Sequence, residues 1–385
     1  MKNQLISSIK KLGFGIILTF ILFPTVTMAT ANKIVVVAPS GSESVQAVQA
    51  LKQGFVTAMG LQFNVATQSY SLDSGYTIEF ESDTGKIYDA LKSTDVIAVI
   101  CDTSVVCSHA LSEHVPNDVL VIAVTATSNE LKKGANILRL APDNSLQAKL
   151  IHDDLFQDIG TERFAIIYEP DIYAMDFLEL FMSKYFTDIT FDHSKPTFVA
   201  SIPFHDFIAN LDKKHKTIHA EIALKMLRQL QVSAVLYLGY SKGFATLTDP
   251  ELGGDHSVAK HWYASDEIYE DVKGFPHLKL YDLFEPNSQE SKHREYFYGY
   301  DAGKFLSQVI ANYQPQETSN REEFLQIAKK TVLAEKDSLT GAKSFTAADA
   351  NGRFSVKTFD EQGEFEINDV TVSGVHEHEE TVINE

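Results

Sequence analysis

Lys33-Ile34-Val35-Val36-Val37-Ala38 is an unbroken apolar run, and Val45, Val48, Leu51, Phe55 and Met59 recur at helical spacing directly after it. The run is too short for a helix of its own, and with no polar residue alternating along it, it reads as a strand buried on both faces. Asp95-Val96-Ile97-Ala98-Val99-Ile100 and Val119-Leu120-Val121-Ile122-Ala123-Val124 repeat the signal with helical material between them. Buried strands alternating with helices predict a parallel sheet covered on both faces.

After Asp143-Asn144-Ser145 the pattern begins again. A helix over about 146–159 leads into the strand Arg163-Phe164-Ala165-Ile166-Ile167-Tyr168. A helix carrying Ile218, Ile222, Met226 and Leu230 follows, then the strands Ala234-Val235-Leu236-Tyr237-Leu238 and His261-Trp262-Tyr263-Ala264. The fold class read from this is α/β, with two Rossmann-like lobes. Helices over about 294–312 and 321–335 precede Asn351-Gly352, a hairpin signal between alternating apolar residues.

The N-terminal segment sets the compartment. Lys2, Lys10 and Lys11 precede an apolar run from Leu12 to Phe23, then Pro24 and the small residues Thr27-Met28-Ala29-Thr30-Ala31. That order is a secretory signal peptide, and the run falls short of the roughly 20 apolar residues that span a bilayer. Cleavage before Asn32 is expected, a cut after Ala29 being the alternative, with the mature chain in the periplasm. Loss of residues 1–31 moves the net charge from -19 to -22. Nucleic acid is excluded as a partner on that charge, since binding its backbone draws on clustered Lys and Arg, and the dense basic run is confined to Lys213-Lys214-His215-Lys216.

Cys101 and Cys107 lie six apart in an oxidising compartment. A disulfide and a pair of buried thiols are both open readings. His376-Glu377-His378-Glu379-Glu380 reads as part of a solvated, flexible acidic tail over 370–385, with metal capture as the alternative. No cofactor or metal is expected.

The order and spacing of these segments resemble the leucine/isoleucine/valine-binding protein group of type I periplasmic receptors, over nearly all of the mature chain. The resemblance implies two lobes joined by a multi-crossover hinge: residues 32–145 with 281–345, and 146–280 with 346–369. It also implies site residues. Thr125, Ala126 and Thr127 match the segment that holds a ligand's carboxylate, and a helix cap is the alternative role. In Ile100-Cys101-Asp102-Thr103-Ser104, Asp102 stands where the family has a serine hydroxyl. An acid there opposes a ligand carboxylate, which points to a neutral or cationic ligand; a one-residue slip would offer Thr103 or Ser104 instead and leave Asp102 as a cap. Tyr173 and Tyr240 match cleft tyrosines, and Asp266 matches the acid set against the ligand's amino group, a surface acid being its alternative. Near Ala47 no aromatic residue covers the ligand, and Tyr300 reads as a cleft or core residue.

The implied function is a monomeric receptor that closes on a small polar solute, such as an amino acid, amide or amine, and delivers it to the permease of an inner-membrane ABC importer. A sensor that signals the same closure is the runner-up. The competing enzyme reading rests on Gly239-Tyr240-Ser241-Lys242-Gly243, which has the G-x-S-x-G form of a nucleophile elbow. Asp266 and His277 or His293 would complete its triad in chain order.

Overall fold

The apolar runs become strands because each is short, bounded by turn residues and buried on both faces. The computed structural model describes residues 32–37, 45–64, 69–72, 75–82, 89, 91–103, 106–107, 115–129, 131, 135–160, 162–188, 195–204, 213–250, 254–265, 268, 275, 277–284, 286, 293–313, 320–345, 351–360 and 365–373. Residues 1–31, Ser104, Asp266 and the His376–Glu380 segment lie outside them.

Strands β1 (Asn32–Val37), β2 (Gln62–Asn64), β3 (Ser69–Ser71), β4 (Tyr76–Glu81), β5 (Val96–Cys101), β6 (Leu120–Ala123) and β7 (Ile137–Arg139) form one sheet in the order β2-β3-β4-β1-β5-β6-β7. It is parallel from β4 to β7, with antiparallel β2 and β3 at one edge. The second sheet holds β8 (Arg163–Tyr168), β9 (Thr197–Pro203), β10 (Ala234–Leu238), β11 (His261–Ala264), β12 (Leu278–Leu283), β13 (Asn351–Phe359) and β14 (Phe365–Ser373). Its order is β14-β13-β12-β11-β10-β8-β9, and only the β12-β13-β14 edge is antiparallel. These are the two α/β lobes expected.

The described helices are α1 (Val45–Met59), α2 (Asn144–Ile159), α3 (Ile172–Asp188), α4 (Lys213–Leu230), α5 (Ser241–Thr248), α6 (Arg294–Asn312) and α7 (Arg321–Lys330). Tyr298 and Phe305 of α6 and Phe324 of α7 share a core with Ile34, Ile97 and Ile122 of the first sheet. The chain therefore crosses between lobes three times: after β7, between β12 and α6, and before β13. Helix α1 lies tight on α6: a Cβ at Gly54 would stand 2.0 Å from the Tyr296 carbonyl oxygen.

The structure corrects several expectations. Strand β12 runs to Leu283 and β14 to Ser373, past the boundaries expected at 280 and 369, so the first residues assigned to the tail are sheet. Asn351-Gly352 is not a hairpin turn. Asn351 pairs with Ser373 at the far end of the β13-β14 ladder, and the chain reverses between the paired Phe359 and Phe365. The glycine is needed for a close approach, since a Cβ there would meet Pro142 and Leu146. Helix α4 buries Ala220, Ala223, Leu224 and Leu227 and exposes Ile222 (52%) and Met226 (38%), so its core face is not the expected Ile222–Met226 stripe; the Ile218 side chain lies outside the described residues.

Candidate functional site

In parallel α/β sheets, ligands bind beyond the C-terminal ends of the strands. In the first lobe those ends present Asp102 after β5 and Thr125 to Thr127 after β6; in the second they present Glu169 and Asp171 after β8, Tyr240 after β10 and Ser265 after β11.

Asp102 is 5% exposed. The Thr125 hydroxyl donates to its Oδ1 at 2.6 Å, and the Thr125 N–H donates to its backbone carbonyl at 3.2 Å. Burial pushes its carboxyl up to about 6; Glu295 adds to the rise, while the Thr125 hydrogen bond and Arg294 oppose it. The capping role falls on Thr103, whose hydroxyl accepts from the Val106 N–H at 3.4 Å and whose carbonyl accepts from the Cys107 N–H at 2.8 Å. Cys101 and Cys107 form a disulfide, with Cα atoms 5.2 Å apart, and it staples the turn that carries Asp102.

Thr125, Ala126, Thr127 and Ser128 are all buried. Arg139 donates to the Thr127 and Ser128 carbonyls at 3.3 and 2.9 Å and pairs with Asp143 at 3.4 Å, which fixes this segment's path. The next residue reaches the second lobe: the Asn129 N–H donates to Asp176 Oδ2 at 2.9 Å, and Asn144 Nδ2 donates to the same oxygen at 2.8 Å. Asp176 lies on α3, the helix that starts beside Asp171.

There the structure corrects the expectation for Tyr173. Its ring packs into the second lobe's core with Ala174, Ile166 and Phe177, because the first turn of α3 directs it inward. Asp171 takes the outward place. Its Oδ1 accepts from the Ala174 N–H at 2.8 Å, capping α3, and its Oδ2 accepts the Tyr240 hydroxyl. Burial raises the Asp171 pKa, and the Tyr240 hydrogen bond works against that rise. Glu169, also buried, accepts the Tyr237 hydroxyl and the Tyr240 N–H at 3.0 Å. Sequence reasoning missed Glu169 and Asp171, although two acids directly beyond the end of a buried strand are the signal that could have found them. Ser265 is fully buried, and its hydroxyl has no hydrogen-bond partner among the described residues. Tyr300 is half-buried and lines a surface groove on α6 with Lys304 and Ser307.

The same contacts account for the G-x-S-x-G pattern. A Cβ at Gly239 would lie 2.7 Å from the Tyr237 hydroxyl, and one at Gly243 would lie 2.2 Å from Glu169 Oε1. Both glycines make room for that buried pair. Ser241 begins α5 at the C-terminal end of β10, whereas His277 precedes β12 at the opposite edge of a parallel sheet. At about 3.3 Å per residue the two are roughly a strand length apart, beyond reach of a proton transfer. His293 Nδ1 contacts the Glu295 carboxylate.

A buried ionic cluster lies at the second crossover. Arg294 pairs through Nε with Glu295 Oε1 at 2.9 Å and through its guanidinium with the Asp282 carboxylate, and Lys357 Nζ meets Asp282 Oδ2 at 3.1 Å. Burial works to raise the Glu295 pKa, but Arg294 and His293 outweigh it and hold it low. Among the described residues no group of His, Cys, Asp and Glu could hold a metal ion, and no helix is long and apolar enough to cross a membrane.

No protein-family model matches the sequence, and no curated protein matches it. Solved structures do match in fold. A leucine-binding protein of Thermotoga maritima is 15% identical with a TM-score of 0.63, covering 89% of this chain and 98% of that one. The branched-chain amino acid transporter substrate-binding protein of Streptococcus pneumoniae, in complex with isoleucine, is 17% identical with a TM-score of 0.65, covering 89% and 99%. An ABC transporter solute-binding protein of R. palustris, in complex with benzoate, is 14% identical with a TM-score of 0.60, covering 88% and 95%.

Proposed function

Starting from its two-lobed fold, that of the type I periplasmic binding proteins, we propose that this chain is an exported receptor that closes on a small polar solute and delivers it to the permease of an ABC importer. One observation carries the reading. The C-terminal strand ends of both sheets carry polar side chains, Asp102 and Thr125 in the first and Asp171 and Tyr240 in the second, and the Asn129–Asp176 hydrogen bond ties the segment after Thr127 to the helix after Asp171. A solute touching both sides favours the closed arrangement by its differential affinity for it. Proteins of like fold have been solved in complex with small solutes, isoleucine and benzoate among them. Export is supported by the charged, apolar, small-residue order of residues 1–31.

A thermal-shift screen across amino acids, amides, amines, sugars and small organic acids tests the proposal. A saturable rise in Tm with one class is expected, since a ligand at a hundred times its Kd adds about 2.7 kcal/mol to stability. The absence of a shift with every class would contradict it.

A further inference from the structure

Asp102 is a buried carboxylate that makes no ion pair among the described residues. The basic groups that act on it are engaged elsewhere: Arg294 with Glu295 and Asp282, His293 with Glu295. Among the described residues its one side-chain hydrogen bond is the Thr125 hydroxyl on Oδ1, and Oδ2 takes none. A buried charge is ordinarily paired, because an unpaired one is costly to desolvate.

Two hydroxyl hydrogens at these strand ends are committed. A hydroxyl carries a single hydrogen. Thr125 gives its hydrogen to Asp102, and Tyr240 gives its hydrogen to Asp171. Ser265 adds a fully buried hydroxyl without a partner among the described residues.

We infer that Asp102 is a specificity-determining residue that selects a solute bearing an ammonium or another cationic N–H donor and rejects a free carboxylate at that end of the site. The inference rests on the receptor reading above. A cation on Oδ2 supplies the missing counter-charge, whereas a ligand carboxylate would add a like charge to a carboxyl that already feels the charge of Glu295.

Calorimetric titration of the purified full chain with matched pairs tests this: 3-methylbutylamine against 4-methylpentanoate, benzylamine against benzoate, putrescine against succinate, with leucine and acetamide alongside. The expected result is binding of at least one amine, with its acid counterpart about a hundredfold weaker or silent. Asp102→Ser is expected to weaken that amine by about tenfold to a hundredfold, the range of a charge-assisted hydrogen bond, and to improve the acid. Asp102→Asn, which keeps an acceptor for Thr125, is expected to weaken the amine likewise, so loss of the Thr125 contact is not the cause. An acid that binds as tightly as its amine, or an amine whose affinity both variants leave unchanged, overturns the inference while the receptor reading stands. Silence from every amine, amide and acid, in wild type and variants alike, overturns the receptor reading and the inference together.

Discussion

Asp102 holds its carboxyl near pH 6 because burial, with Glu295 adding, disfavours the charge. The folded state then binds an extra proton between about pH 4 and 6, so stability falls as pH rises through that window. The Asp102→Asn variant without ligand is therefore expected to be more stable than wild type at pH 7, by on the order of 3 kcal/mol for a shift of about two units, and no different below pH 4. Thermal melts at pH 3.5 and 7 check this; a difference of the same size at both values would show that the charge is not what costs stability. Asp102 was legible in the sequence because it breaks a pattern at a recognisable strand end. Glu169 and Asp171 were missed among 52 acids, where their place directly beyond a buried strand is the one feature that sets them apart. Tyr173 was misread for a related reason: one residue's rotation at the start of a helix decides whether a side chain meets the core or the site.

At the level of elements, strands were legible wherever both faces are buried, because apolar residues then run without interruption, as in β1, β5, β6 and β10. Helices covering one face leave more freedom. In α4, Ile222 and Met226 occupy a plausible stripe yet face outward, since the alanines at 220 and 223 let the opposite side approach the sheet more closely. The α1–α6 contact is the converse case, set by a residue with no side chain. Gly54→Ala would drive a methyl group into the Tyr296 carbonyl, and overpacking of this kind costs about 1–3 kcal/mol. A urea midpoint lowered to match, with the m-value kept, is the expected outcome; an unchanged midpoint would mean that the helices separate freely there.

Across the whole molecule, the three crossings are tied to one another by buried polar contacts. Lys343, before β13, donates to the Leu140 carbonyl of the first crossing at 2.8 Å, and burial lowers its pKa to about 8. Gln147 Nε2 donates to the Tyr281 carbonyl at 2.7 Å, and the Arg294–Asp282–Lys357 cluster joins the second crossing to β13. The alternation of strands and helices revealed two lobes, but not these ties, which join residues as distant in sequence as Leu140 and Lys343. Under the proposed function these three crossings are the hinge, and closure of one lobe on the other around a solute is the central claim. Small-angle X-ray scattering, with and without the solute that gives the largest thermal shift, tests it most directly. A radius of gyration that falls on saturation is the expected result; a solute that binds and leaves the radius of gyration unchanged would contradict it.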